Sequence, residues 1–570
     1  MYLHKSKRPS GRVYLALAES YRKDGKSRMR TLRSLGYLDE LEKETPDPVA
    51  RWEAYCAEQN ALAREGRQSV PIEIHPAQKI DERGGRRNIG CAVLLREYAS
   101  MGIERVLRNA TRGGGHGFDL NAVLRLLAVE RVLDPGSKIS AWRHREGYFF
   151  RCDFAEHDVY RALTLLAPLR DRVVSAVNRH VDSLGLRDTA KVYYGVTNYY
   201  FEIDDPDDLR RNGVSKERRR SPIVQMGPLQ DRSGVPITYR LFPGNTNDRE
   251  TMADVLAGLK RDYGLDRVVC VADKGNNTSA NIAACVARGD GFVYSQSIRG
   301  TKSRRGLRRW VLDDGGYEGN ADGTFRVKSR QDFKTVTVEG ADGRRRRVDV
   351  EVKVVAFWSR KYAERARHER AETVARVRQL AASPGAYTAA THWGAAKYVD
   401  GIKVDGRTGE VVEAADVLVF NEARLAAEEE CDGYYCIVTS EASMRDAEII
   451  DAYRGLWRIE ESFRVTKSTL ETRPVYVSRR DHIEAHFLIC YVALCILRIV
   501  QVRNGGRFSP QQIADELSKM SGMRLEGNWW VFDHRSDVTD ALCETAGIDL
   551  TRRYMQLKDV RKILAEVRRG

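Results

Sequence analysis

The stretch K191-V-Y-Y-G-V-T-N-Y-Y-F-E-I203 is dense in β-branched and aromatic residues, the composition of a buried, pleated strand. Residues 221–244, SPIVQMGPLQDRSGVPITYRLFPG, add two more strands around a turn at Asp231 to Pro236. A helical pattern follows (TMADVLAGLKRDYG, 251–264), then the strand RVVCVADKG (267–275), a second helix (SANIAACVARG, 279–289) and the strand FVYSQSI (292–298).

Three consecutive strands followed by alternating helix and strand form the first half of a ribonuclease-H-like mixed sheet, an α/β order that other folds can share. Working outward, residues 1–80 read as a small β/α region: a basic hairpin with a D-G turn (Asp24-Gly25), a helix over 47–66, and a strand at VPIEIHPAQ (70–78). Residues 81–188 are helical in period, as in NAVLRLLAVERVL (121–133), and are expected to bind DNA. The core's first half spans 189–300. Residues 301–420 read as an inserted, mostly β subdomain with one long charged helix. The core resumes over 421–505 with GYYCIVTS (433–440), a long helix from Ser443 to Ser468 and an apolar helix over 482–503. Residues 506–570 read as helical, with an aromatic patch at Trp529-Trp530.

The chain has 570 residues, 42% of them hydrophobic, and a formal net charge of +15. That supports several real cores and a polyanionic partner, nucleic acid being the commonest. A generic basic surface is the plainer alternative. The longest apolar run, Phe487 to Leu497, is of buried-helix length, and MYLHKSKRPSGRVY has no apolar region of a signal peptide. The ten cysteines form no C-x-x-C pair and read as buried thiols. A protein at work on the nucleoid in the cytoplasm is expected, with no membrane and no small-molecule substrate.

Phosphodiester chemistry with two divalent ions needs carboxylates converging from separate elements. Asp273 follows the apolar strand VVCVA and so stands at a carboxyl end of the sheet, where open α/β sheets bind ligands; a turn former is the ordinary alternative. In Y453-R-G-L-W-R-I-E460-E-S-F-R-V-T-K467, a tyrosine, a glutamate and a lysine recur every seven residues and share a helix face. Such a stripe suits a metal-binding carboxylate flanked by phosphate-holding groups, or a set of salt bridges to a neighbouring element.

This segment resembles the Y-x2-R-x3-E-x6-K signature of a large class of bacterial insertion-sequence transposases with a ribonuclease-H-like DDE core. Tyr453, Glu460 and Lys467 match, and Leu456 stands in the arginine slot, with Arg454, Arg458 and Arg464 nearby. Trp457, Ile459, Phe463, KSTLETRPVY (467–476), HIEAHF (482–487), FPGNT (242–246) and ADKG (272–275) extend the resemblance. It implies Asp273 and Glu460 as catalytic, metal-binding carboxylates for Mg²⁺ or Mn²⁺. It also implies Tyr453, Lys467, Arg458 and Arg464 as DNA contacts, and a homodimer on transposon ends and target DNA. Strand cleavage by water and transfer of the freed 3′-hydroxyl would follow.

In this class the first strand reads Y-D-V-T-x-x-Y-F-E. Here it reads Y194-G195-V196-T197-N198-Y199-Y200-F201-E202, so the first catalytic position is Gly195. Glu202 lies about 23 Å along an extended strand and on the opposite face. Asp204 and Asp205 are farther. None stands in for the missing carboxylate. The expectation is a transposase impaired in cleavage or, alternatively, an inactive DNA-binding remnant or inhibitor of transposition. Decay is favoured over retention for binding or deliberate alteration. Pro228, if interior to a central strand, points the same way. Basic runs at Lys5–Arg12, Arg218–Arg220, Arg304–Arg309 and Arg344–Arg347 are further DNA-contact candidates.

Overall fold

Val269-Cys270-Val271-Ala272 is apolar at every position because both faces of its strand are covered. Val269 and Val271 pack with Ile449 and Ile450, whereas Cys270 and Ala272 pack with Met252 and Ile282 on the other face. Continuous apolar strands of this kind belong to the middle of a parallel sheet with helices on both sides.

The computed structural model describes residues 1–23, 26–64, 85–203, 205–213, 221–259, 267–299, 305–339, 344–381, 398–404, 411–525 and 528–569. The expected turn at Asp24-Gly25, the strand at 70–78, Asp204, Arg218–Arg220 and Arg304 lie outside the described residues.

The chain forms two units. The smaller comprises Met1–Arg86, Gly522–Asp533 and Arg552–Val560, and the larger comprises Arg87–Ser521, His534–Thr551 and Arg561–Gly570. In the smaller, strands Tyr2–Lys7, Val13–Lys23 and Lys26–Tyr37 make an antiparallel sheet with Leu15 and Leu17 buried. The Trp529-Trp530 patch is not helical as expected: Trp529–Phe532 is a strand, antiparallel to Tyr554–Gln556.

The larger unit is built on a ten-stranded sheet. In chain order its strands are β1 (Lys191–Tyr194), β2 (Thr197–Tyr200), β3 (Ile223–Gln230), β4 (Pro236–Pro243), β5 (Val269–Ala272) and β6 (Gly291–Ser295). β7 (Glu318–Gly319), β8 (Phe325–Glu339), β9 (Arg345–Ser359) and β10 (Tyr434–Thr439) complete it. The first five positions across the sheet run β4-β3-β1-β5-β6, with β3 antiparallel to its neighbours and β1, β5 and β6 parallel. This is the ribonuclease-H-like order. β10, β9, β8 and β7 continue the sheet beyond β6, all antiparallel. The long β8–β9 hairpin, read from sequence as part of an inserted subdomain, is thus hydrogen-bonded into the central sheet.

β1 and β2 are one strand interrupted at Gly195-Val196. β1 pairs Tyr193 with Gln230 and Tyr194 with Leu229, and β2 resumes in the same register with Thr197 opposite Met226. The break faces Gly227 and Pro228. Pro228 also pairs Tyr239 of β4, so it is interior to a central strand, where its missing N–H removes one ladder donor.

α1 (Asp248–Ala257) and α2 (Ser279–Arg288) cover one face of the sheet. On the chain's amino-terminal side, helices run from Cys91–Ser100 to Arg170–Ser183. They gather around the apolar helix Arg480–Arg503. That helix is long and apolar enough to cross a membrane, and 94% of its most apolar window is buried inside the protein. All ten cysteines are unpaired, nine of them buried.

Within the helical region Glu130 is 2% exposed, and its carboxylate accepts hydrogen bonds from the Tyr148 hydroxyl and from His144 Nδ1. Burial pushes it up from an ordinary 4.5 to about 7 despite those donors. The fold therefore favours the protonated acid, a contribution fully present below pH 4.5 and lost as pH rises through about 7. Glu130→Gln should flatten the pH dependence of the unfolding midpoint over that window. A slope unchanged from wild type would count against this assignment.

Candidate active site

β1 and β5 run parallel with Lys191 beside Val269, Val192 beside Cys270 and Tyr193 beside Val271. The two strands end at Tyr194 and Ala272, so Gly195 and Asp273 are the first residues beyond a shared strand edge. Both positions are at carboxyl ends of parallel strands, the edge where such sheets bind ligands. Asp273 Oδ1 accepts from the Gly275 N–H at 2.9 Å and from Asn276 Nδ2 at 3.2 Å. Asp273 therefore shapes a turn while its other oxygen takes no part in these bonds.

The third element approaches from the second half of the core. The single helix expected from Ser443 to Ser468 is in fact broken in two: α3 (Asp446–Arg454) and α4 (Trp457–Arg464). Between them the bonds tighten to i→i+3, with Leu456 N–H donating to Tyr453 O and Ile459 N–H to Leu456 O, both at 3.0 Å. Gly455 permits the close approach at this joint, because a Cβ there would stand 2.1 Å from the Tyr193 hydroxyl. After α4 the chain widens into a π-turn, Val465–Thr469, which carries Lys467. The seven-residue stripe thus spans three differently wound segments.

A cavity of about 350 Å³ joins these pieces, and Gly195, Asp273, Tyr453 and Glu460 all line it. Tyr453 is half-buried and hydrogen-bonded to Ser295. Burial raises its hydroxyl's pKa, and the nearby Asp273 and Glu460 add to the rise. The remaining expected contacts disperse. Lys467 Nζ lies 5.8 Å over the Tyr199 ring. Arg458 lines a neighbouring depression with Lys191, Tyr193 and Arg232. Arg464 is exposed, 4.0 Å from Glu461. Glu202 is exposed and outside the cavity's lining.

Gly195 is packed against α4. A Cβ at this position would stand 3.2 Å from Phe463 Cζ and 3.3 Å from Ile459 Cγ1, so a larger residue needs those side chains to give by a few tenths of an ångström. The site also contains residues that sequence reasoning passed over. Arg365 and Tyr362 reach the cavity from the helix Arg360–Ala381, and Tyr435 from β10, stacked on Phe357 at 5.5 Å. Asn276 is 4% exposed, and its Oδ1 is buried with no hydrogen-bond partner among the described residues. Its place three residues after Asp273 was the one signal available in the sequence.

What fixes α4 over the sheet is a buried ion pair. Arg498, on the helix Arg480–Arg503, is 3% exposed and donates from Nη1 to Glu461 Oε2 at 2.9 Å and from Nη2 to Ser462 Oγ at 3.0 Å. Ser462 Oγ in turn donates to Gln230 Oε1 of β3 at 2.8 Å. Arg498→Met strands the Glu461 carboxylate and should cost about 3–5 kcal/mol in chemical denaturation. Arg498→Met with Glu461→Leu should recover most of that. A single variant as stable as wild type would show that the pair does not hold α4.

Residues 3–70 match the N-terminal domain of the IS1634 family transposases, and residues 208–496 match the transposase DDE domain. No curated protein matches the chain. Among solved structures, a piggyBac transposase synaptic complex with hairpin DNA aligns over 88% of this chain and 88% of its own, at 8% identity and a TM-score of 0.35. The Mos1 mariner paired-end complex with Mn aligns over 44% of this chain and 69% of its own, at 12% identity and a TM-score of 0.13.

Proposed function

The chain belongs to the DDE-domain transposases, and from that premise we propose that it binds the ends of a mobile DNA element while carrying a catalytic site that lacks one metal-binding carboxylate. The observation that carries this reading is the register of β1 on β5. Tyr193 is beside Val271 just before each strand ends, and Gly195 and Asp273, the next residues past that edge, line one cavity with Glu460.

The donors that are present fit a hard divalent cation such as Mg²⁺ or Mn²⁺. Asp273 and Glu460 offer carboxylates, and Asn276 Oδ1, buried and without a partner among the described residues, is an amide oxygen of the kind such ions accept. When bound, the ion would activate a water and stabilise the oxygen that leaves phosphorus. Asp273 and Glu460 would hold it, and the Asx-turn keeps Asp273 aimed by spending only one oxygen on Gly275 and Asn276. Tyr453, Arg365 and Arg454 line the same cavity and would orient the scissile phosphate, with Lys467, Arg458 and Arg464 contacting flanking phosphates. Two element ends must be brought together for strand transfer, so a homodimer on DNA is expected, working on the nucleoid in the cytoplasm.

Even the loss of a residue that only supports a metal ligand typically weakens affinity or activity about 10–100-fold, and loss of a ligand shared by two ions should cost more. The packing of Phe463 and Ile459 against Gly195 favours a second reading, that the chain persists as a binder occupying transposon ends, inhibiting an intact copy through mixed dimers. Strand cleavage of element-end DNA with Mg²⁺ or Mn²⁺ separates active from inactive forms. Gly195→Asp should cleave at least tenfold faster than wild type, and Glu460→Gln should abolish cleavage in either background. Wild-type cleavage as fast as that of the Asp variant would remove the basis for a catalytic defect.

A further inference from the structure

A second concavity lies in the larger unit, built from parts of the sequence far apart from each other and from the carboxylates. Its volume is about 580 Å³, and five arginines line it: Arg87, Arg145, Arg151, Arg561 and Arg568. Arg145 and Arg151 flank the segment Tyr148–Phe150, whose aromatic side chains are buried. Arg561 and Arg568 come from the C-terminal helix Leu557–Val567 and the residue just beyond it.

Among the described residues, two carboxylates, Glu146 and Asp153, share this lining with the five guanidinium groups. Glu146 is exposed and 3.6 Å from Arg145, too loose a contact to neutralise the cluster. Arg125 stands behind it, donating to Arg151 O at 3.0 Å and lying 5.1 Å over the Phe150 ring. Burial, and after it the Arg125 charge, pushes the Arg568 guanidinium down from its ordinary value, against the opposing pull of Glu104 and Asp119. Like charges gathered in a concave surface repel each other and weaken the fold unless an anion joins them. Guanidinium forks match phosphate oxygens in pairs.

We propose that this five-arginine pocket is an anion site for the phosphodiester backbone of DNA, distinct from the carboxylate cavity. The proposal rests on the DNA-binding reading above. The aromatic residues of the pocket are buried rather than presented for stacking, so the site grips phosphates and reads no bases. It recruits the C-terminal helix into DNA binding, together with the helical region before the core.

The test measures binding of the full-length protein to an element-end duplex and to a random duplex of equal length across a salt series. The proteins are wild type, Arg151→Glu/Arg568→Glu and the milder Arg151→Gln/Arg568→Gln. Both variants should weaken binding to the two duplexes alike, by about tenfold or more at 0.1 M salt. The slope of log affinity against log salt should become shallower by about two. Thermal melting should show both variants folded and no less stable, since the changes relieve repulsion. Inorganic pyrophosphate and a polyglutamate peptide serve as competitors. Displacement by neither at concentrations that leave ionic strength unchanged, with the variant loss intact, supports an extended backbone as the ligand. Selective displacement by pyrophosphate or by polyglutamate would overturn it in favour of a free polyphosphate or an acidic protein segment. Variants that bind DNA as wild type does overturn the pocket alone. A wild type that binds neither duplex overturns the pocket and the DNA-binding reading together.

Discussion

One buried guanidinium determines where the site's third element stands. Arg498 reaches from the central apolar helix to Glu461 and Ser462, and Ser462 passes the contact on to Gln230 in the sheet. Because α4 is short and broken from its predecessor at Gly455, helix propensity alone would not hold it in place. The ion pair locates Glu460, the residue before Glu461, over the strand ends that carry Gly195 and Asp273. A charge so deeply buried is stable only with its partner, so this arrangement is all-or-none rather than adjustable.

The same packing bears on the vacant carboxylate position. Gly195 lies where β1 breaks, opposite Gly227 and Pro228, and under Ile459 and Phe463. Glycine and proline facing each other across a ladder weaken it from both sides, one by its conformational freedom and one by its missing donor. Yet the register resumes unchanged at Thr197, because Tyr194 and Val196 on one face and Tyr193 on the other are buried in the cores flanking the sheet. The fold therefore accommodates glycine at the position where the proposed function lacks a metal ligand.

Much of this was legible in the sequence. Strands β1 to β6 were readable because doubly buried strands are apolar throughout and are punctuated by turns such as Asp231 to Pro236. Asp273 was readable as a strand-end carboxylate. The features that escaped are tertiary. The break at Gly455 answers to the Tyr193 hydroxyl, some 260 residues earlier in the chain, and the stripe from Tyr453 to Lys467 looks equally regular with or without it. The β8–β9 hairpin alternates like any isolated β subdomain, and only its pairing with β10 makes it part of the central sheet. Arg498 sits within an apolar run where a lone arginine reads as a helix near its end, and Trp529-Trp530 lacks the length for its strand to be told from a helix.

On the proposed function the site retains two of three carboxylate positions, and metal stoichiometry tests this without relying on turnover. Titrating the DNA-bound protein with Mn²⁺, followed by calorimetry and by the paramagnetic signal of bound ion, should find one tightly held ion per chain. Gly195→Asp should raise the count to two. Two ions in the wild type would contradict the account, as would a count of one that Asp at 195 leaves unchanged.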